Sequence, residues 1–183
     1  MTEHNYRIYR NLEGVAYWID TYTELGRVRK TFGEHFPQLT KPSILDAGCS
    51  RGYTSIELLE IYPGARVTGI DIDEESIAQA KINSSLCRFV HGDVYNFDFN
   101  KKFDIAFFMN NLLFLPNQGN VLEGALSRAA GLIAPKGYLA LSADKVWALF
   151  QRNPKFKLSA VSEYWGRFKS EATVTRILES SSL

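Results

Sequence analysis

Apolar residues recur along this chain with two different periods, and their alternation predicts its elements. Val15, Trp18, Ile19, Tyr22, Leu25, Val28 and Phe32 follow one another at spacings of three and four, the pattern of a helix with one apolar face. Pro37 and Pro42 break the chain after it, and Ile44-Leu45 opens a first buried strand. Ile56, Leu58, Leu59 and Ile61, interspersed with Glu57 and Glu60, predict a helix that stops at Pro63-Gly64. Val67 to Asp71 reads as a second strand, and Asp73, with Glu74 and Glu75, caps and charges the start of a helix carrying Ile77, Ala78 and Ala80.

The second half continues the alternation. Leu86 to Val90 reads as a third strand, and Phe103 to Met109 as a fourth, apolar nearly throughout as a strand covered on both faces should be. Val121, Leu122, Ala125, Leu126 and Ala129 mark a helix, Pro135-Lys136-Gly137 a turn, and Tyr138 to Ser142 a fifth strand. A helix is expected from Asp144 to about Gln151. Leu158 to Trp165 and Ala172 to Leu178 then read as two strands separated by the turn-like stretch from Gly166 to Glu171. Strands alternating with helices imply an α/β protein, a parallel sheet with helices on both faces, and the tail departs from that alternation.

A chain of 183 residues and 20.7 kDa fits a single domain, with residues 1–40 expected as a helical cap or lid and 41–183 as the core. Apolar residues at 45% and charged residues at 22% exclude disordered and fibrous classes. Lys and Arg number 21 against 20 Asp and Glu, so the net charge of +1 supplies no global attraction to nucleic acid or to an anionic membrane. No apolar run reaches membrane-spanning length and the start lacks a signal-peptide core, so a cytoplasmic protein is expected. Cys49 and Cys87 lack metal-like spacing, which speaks against a disulfide framework or a zinc site; no metal is expected.

Chemistry concentrates after the first strand, in Asp46-Ala-Gly48-Cys49-Ser50-Arg51-Gly52. Gly48 and Gly52 allow the backbone to turn with positive φ and to approach a ligand, and the helix beyond Gly52 presents free N–H groups to an anionic group. A carboxylate at Asp46 adds nothing for pyrophosphate but suits a ligand bearing an ammonium or hydroxyls. Asp71 ends the second strand where a carboxylate can accept from both hydroxyls of a ribose; a solvated or capping aspartate is the alternative, and Asp73 fills the capping role better. Ile72 could press on an adenine face or belong to the core.

The Asp46–Gly52 segment resembles the first motif of the class I S-adenosylmethionine-dependent methyltransferases, with Cys49-Ser50-Arg51 standing where many members carry a central glycine. The resemblance implies a Rossmann-like, seven-stranded, mostly parallel sheet closed by a C-terminal antiparallel hairpin. It also implies S-adenosyl-L-methionine as cofactor: Asp46 with Gly48, Cys49, Ser50 and Gly52 at its methionyl end, Asp71 at the ribose, and Asp93 with Val94 at the adenine. Asp93 follows Gly92, so an Asx-turn is the plain alternative for it. Asn110 and Asn111 follow the fourth strand at the edge where open α/β sheets bind ligands. Asn110 is placed beside the cofactor, and Asn111, with Tyr6 and Tyr9 from the cap, beside the acceptor; a plain strand-to-loop role for the two asparagines and core packing for the tyrosines are the alternatives.

Family members that methylate amino groups of bases or glutamine carry Asn-Pro-Pro-Tyr or Asp-Pro-Pro-Tyr where this chain has Asn-Asn-Leu-Leu-Phe, which argues against base-amino methylation of DNA. His4, His35 and His91 each stand alone in sequence and none is assigned as a base; the basic tail of Lys155, Lys157, Arg167 and Lys169 reads as a solvated face. The expectation is a methyltransferase acting by in-line displacement on a small-molecule acceptor, with no catalytic residue identified. A regulatory domain that binds the cofactor without using it is the non-enzyme alternative. An NAD-dependent oxidoreductase fits less well because the full Gly-x-Gly-x-x-Gly pattern is missing, and an RNA or protein acceptor is the remaining variant. The oligomeric state is not legible.

Overall fold

The computed structural model describes residues 38–109, 127–142, 156–165 and 172–180. The helix expected between Val15 and Phe32, most of the one expected from Val121 to Ala129, and the one from Asp144 to Gln151 lie outside the described residues.

Five strands run parallel: β1 (Ser43–Ala47), β2 (Arg66–Asp71), β3 (Arg88–His91), β4 (Phe103–Met109) and β5 (Ile133–Ser142). Two more, β6 (Phe156–Trp165) and β7 (Ala172–Ser180), pair antiparallel with one another, and β7 also pairs antiparallel with β5. The order across the sheet is β3-β2-β1-β4-β5-β7-β6. The chain therefore builds outward from β1 in one direction as far as β3, then starts again on the other side of β1 with β4. Such a reversal between β1 and β4 is the switch point of a Rossmann-like sheet, and ligands of such sheets usually bind at the strands' carboxyl ends.

Burial on both faces explains the apolar strands. Helices α1 (Tyr53–Ile61) and α2 (Glu74–Asn83) place Leu58, Ile77 and Ala80 against Ile44, Val67, Ile105 and Phe107. The alternate residues Leu45, Ala47, Ile70, Ala106 and Phe108 point the other way, into a cluster that includes Ala129 of the helical residues 127–131. The start of β4 is tied to that of β1 through one carboxylate: the Ser43 amide and hydroxyl each donate to Asp104 Oδ2 at 2.7 Å.

The third and fifth strands begin elsewhere than the apolar pattern suggests. The third starts at Arg88 rather than Leu86, because Leu86 is 81% exposed on a turn where its amide donates to Ser84 Oγ. The fifth starts at Ile133, well before Tyr138, and takes Pro135-Lys136-Gly137 into itself as a bulge. Its pairing with β4 jumps from Phe103–Ile133 to Ile105–Tyr138, and Lys136 has a φ of 62°.

Gly137 makes that bulge possible. A Cβ there would stand 2.9 Å from both the Ala134 and the Asp104 carbonyl oxygens and 2.7 Å from Ile133 Cγ2. Gly137→Ala is therefore expected to cost about 1–3 kcal/mol, read as a lower urea midpoint, through overpacking against backbone that cannot retreat. Gly131→Ala, whose Cβ would meet nothing within 4 Å, should leave the midpoint within about 0.5 kcal/mol of wild type.

Candidate functional site

β1 carries Asp46 into the middle of the sheet, opposite Gly69 on β2 and Phe107 on β4. The side chain is only 2% exposed, and its Oδ2 accepts a 2.7 Å hydrogen bond from the hydroxyl of Ser55, in the first turn of α1. Between these two residues the chain turns sharply, with φ of 71° at Gly48, 47° at Ser50 and 82° at Gly52. Gly52 is needed for space as well as for its φ, since a Cβ there would lie 2.6 Å from the Phe89 ring.

Most amides of the turn are already engaged. Those of Gly48 and Cys49 donate to the Ile70 carbonyl at 2.8 and 3.0 Å, that of Gly52 to the Cys49 carbonyl at 2.9 Å, and that of Ser50 to Asp71 Oδ2 at 2.8 Å. The N–H groups left for an anion belong to the first turn of α1, where Gly52 caps the helix without any side-chain bond. Cys49 faces inward, 4% exposed in the core cluster beside α1 and α2, so its thiol belongs to the packing.

Asp71 stands where β2 ends, holding the loop with one oxygen and, with Oδ1, accepting the Asp73 amide at 2.9 Å. Each carboxylate oxygen retains capacity for a further donor. Burial holds the Asp71 carboxyl above the usual aspartate range, and the Asp73 and Ser50 amides pull it part of the way back. Asp73 is the helix cap: its Oδ2 accepts from the Ser76 amide at 3.1 Å and from the Ser76 hydroxyl at 2.6 Å. Ile72, between the two aspartates, is half-buried, and its carbonyl lies 3.1 Å from Nε2 of His91.

Asp93 is in the expected place after β3 but is engaged in a turn of its own. Its Oδ1 accepts the Tyr95 amide at 2.9 Å, its Oδ2 the Asn96 side-chain amide at 2.8 Å, and its carbonyl the amides of Asn96 and Phe97. The Asx-turn role is therefore present, alongside whatever lone pairs remain for a ligand. The Val94 side chain is 7% exposed within the core, which leaves its backbone as the part able to meet a ligand. Asn110, Asn111, Tyr6 and Tyr9 lie outside the described residues.

Two buried polar side chains escape the sequence pattern. Ser55 is fully buried, and Glu57, which reads as one of two polar residues interrupting an apolar helix, is 3% exposed. The one available signal for Ser55 was its place just beyond Gly52, within reach of the strand end that the turn folds back upon. Together Asp46, Asp71 and Asp93 place carboxylates at or just beyond the ends of β1, β2 and β3, an acceptor set suited to a ligand whose ammonium, vicinal hydroxyls and amino group donate.

Residues 44–137, just over half of the chain, match the family model described as Methyltransferase domain. The trans-aconitate 2-methyltransferase of Escherichia fergusonii is 31% identical over 104 residues, which are 57% of this chain and 40% of that protein. The chain thus spans 40% of the length of the curated relative it matches. Among solved structures, a Burkholderia thailandensis 1,6-didemethyltoxoflavin-N1-methyltransferase with bound 1,6-didemethyltoxoflavin and S-adenosylhomocysteine superposes with a TM-score of 0.68 at 18% identity, covering 100% of this chain and 92% of its own. The N-methyltransferase NodS from Bradyrhizobium japonicum WM9 in complex with S-adenosylhomocysteine gives 0.67 at 16% identity, covering 88% and 86%. At these identities the likeness is one of fold.

Both cysteines are buried, and burial pushes the Cys87 thiol up to about 11 and the Cys49 thiol higher still, the latter helped by the charges of Asp46 and Asp71. Ellman's reagent at pH 8 should therefore react with the native protein at least about tenfold more slowly than with the protein in urea. Rapid labelling of either thiol in the native state would contradict that placement.

Proposed function

The chain belongs to the methyltransferase domain family of class I S-adenosylmethionine-dependent enzymes, and from that premise we propose that it methylates a small-molecule acceptor. When bound, the cofactor supplies a methyl group already activated by a sulfonium leaving group. The chain's own share is to hold donor and acceptor in line and to keep water out, which requires no strong acid or base.

In this reading Asp46 and the Gly48–Gly52 turn, including Cys49 and Ser50 through their backbone, hold the methionyl end. Asp71 accepts from the ribose hydroxyls, Ile72 packs on the adenine, and Asp93 with the Val94 backbone meets its polar edge. Asn110 stands beside the cofactor, and Asn111, Tyr6 and Tyr9 on the acceptor side, under a cap formed by residues 1–40 of a single domain.

The observation that carries the reading is Asp71. It ends β2 on the carboxyl edge of the sheet, already oriented by two backbone amides and still able to accept from a diol. A small-molecule acceptor is favoured by the relatives, which include trans-aconitate and 1,6-didemethyltoxoflavin methyltransferases. No helix among the described residues is long and apolar enough to cross a membrane, and a cytoplasmic location is part of the proposal.

Calorimetric titration with S-adenosylmethionine, S-adenosylhomocysteine and NAD tests the cofactor: the first two are expected to bind, and binding of NAD alone would overturn the reading. Asp71→Ala should weaken binding of the sulfur ligands by about 1–3 kcal/mol through loss of charge-assisted bonds. The acceptor class is tested by incubating the protein with labelled methyl donor and a cell extract separated into small molecules, RNA and protein. Label in the small-molecule fraction supports the proposal, label in the others reassigns the acceptor, and persistent absence of label points to a cofactor-binding domain without transfer activity.

A further inference from the structure

We propose that Ser55 is a positioning residue for the cofactor's amino-acid end, acting through Asp46. The inference rests on the reading that Asp46 serves the methionyl portion of the ligand, and it adds a residue that the glycine-loop motif does not contain.

A carboxylate in the centre of a parallel sheet is costly unless its oxygens are hydrogen-bonded, and Asp46 is 2% exposed between Gly69 and Phe107. Ser55 meets one of those oxygens. Its hydroxyl is itself fully buried and donates to Oδ2 at 2.7 Å, the length of a well-formed hydroxyl–carboxylate bond. A serine in the first turn of a helix commonly bonds to nearby backbone; this one reaches across the turn instead, from α1 back to the end of β1. The bond restricts rotation of the Asp46 carboxylate about its Cβ–Cγ axis.

The bond also closes the base of the ligand turn. The turn is anchored at two separate points: Asp46–Ser55 from within, and Ser50–Asp71 from the neighbouring strand end. The first anchor belongs to the residue assigned to the methionyl end and the second to the residue assigned to the ribose. Their effects should therefore separate when the ligand is shortened.

Ser55→Ala is expected to weaken S-adenosylmethionine and S-adenosylhomocysteine about tenfold each in calorimetry. Affinity for 5′-methylthioadenosine, which keeps the adenosine and the thioether but lacks the amino-acid end, should change by less than about twofold. The retained nucleoside binding also certifies that the variant is folded. Ser55→Thr, which keeps the hydroxyl, should restore the affinity for both full-length ligands. A merely structural role would weaken all three ligands alike, and that result overturns the inference. So does undiminished binding of the two full-length ligands by Ser55→Ala. Failure of the wild-type protein to bind either full-length ligand would overturn the cofactor reading itself, and the role of Ser55 with it.

Discussion

The Asp71 carboxylate is the junction on which the site depends. It receives the Ser50 amide from the turn after β1 and the Asp73 amide from the start of α2, while its backbone carbonyl accepts the Gly92 amide from the end of β3. One residue thus joins the segments that follow three adjacent strands. A neutral side chain with one acceptor could not hold both amides, and the carboxylate's two oxygens do so with capacity to spare. The cost is a buried charge, visible in the raised pKa of the group.

Parallel pairing then separates charge along the strands. Asp46, Asp71, Asp73 and Asp93 collect towards the carboxyl ends, while Arg66, Arg88, Lys101, Lys102 and Lys136 stand near the amino ends of β2 to β5 or in the bulge of β5. Lys101, whose ammonium lies 4.7 Å from the centre of the Phe103 ring, has its pKa lowered by burial and by the charges of Arg88 and Arg66. The net charge of +1, summed over the whole chain, does not report this local grouping.

What was legible in the chain follows from the range of each interaction. The turn glycines, the Asp73 cap and the end of β2 at Asp71 obey local rules of φ, capping and strand length, so each could be read from its neighbours. Leu86 and Glu57 could not, since whether a side chain is buried depends on what packs over it: the leucine is 81% exposed and the glutamate 3%. The bulge in β5 was hidden for the same reason. Pro135-Lys136-Gly137 has the composition of a turn, and only pairing with β4 on both sides of it makes it part of a strand. Asp93 was legible as a position but not as a choice, because the amides of Tyr95 and Phe97 that occupy it come from the turn it initiates.

In the proposed function the turn after β1 is finished before the ligand arrives. Gly48, Cys49, Ser50 and Gly52 have their amides committed to Ile70, Asp71 and Cys49, and Asp46 is held by Ser55. Such a loop loses little conformational freedom on binding, so more of each new contact appears as affinity. The same commitments restrict what the loop can offer: four of its amides are occupied, and an anionic group is left mainly with the first turn of α1. In the proposed function the carboxylates and the amides of the first turn of α1 serve the cationic and the anionic end of one zwitterion. A dinucleotide would instead bring its pyrophosphate towards Asp46, a repelling charge.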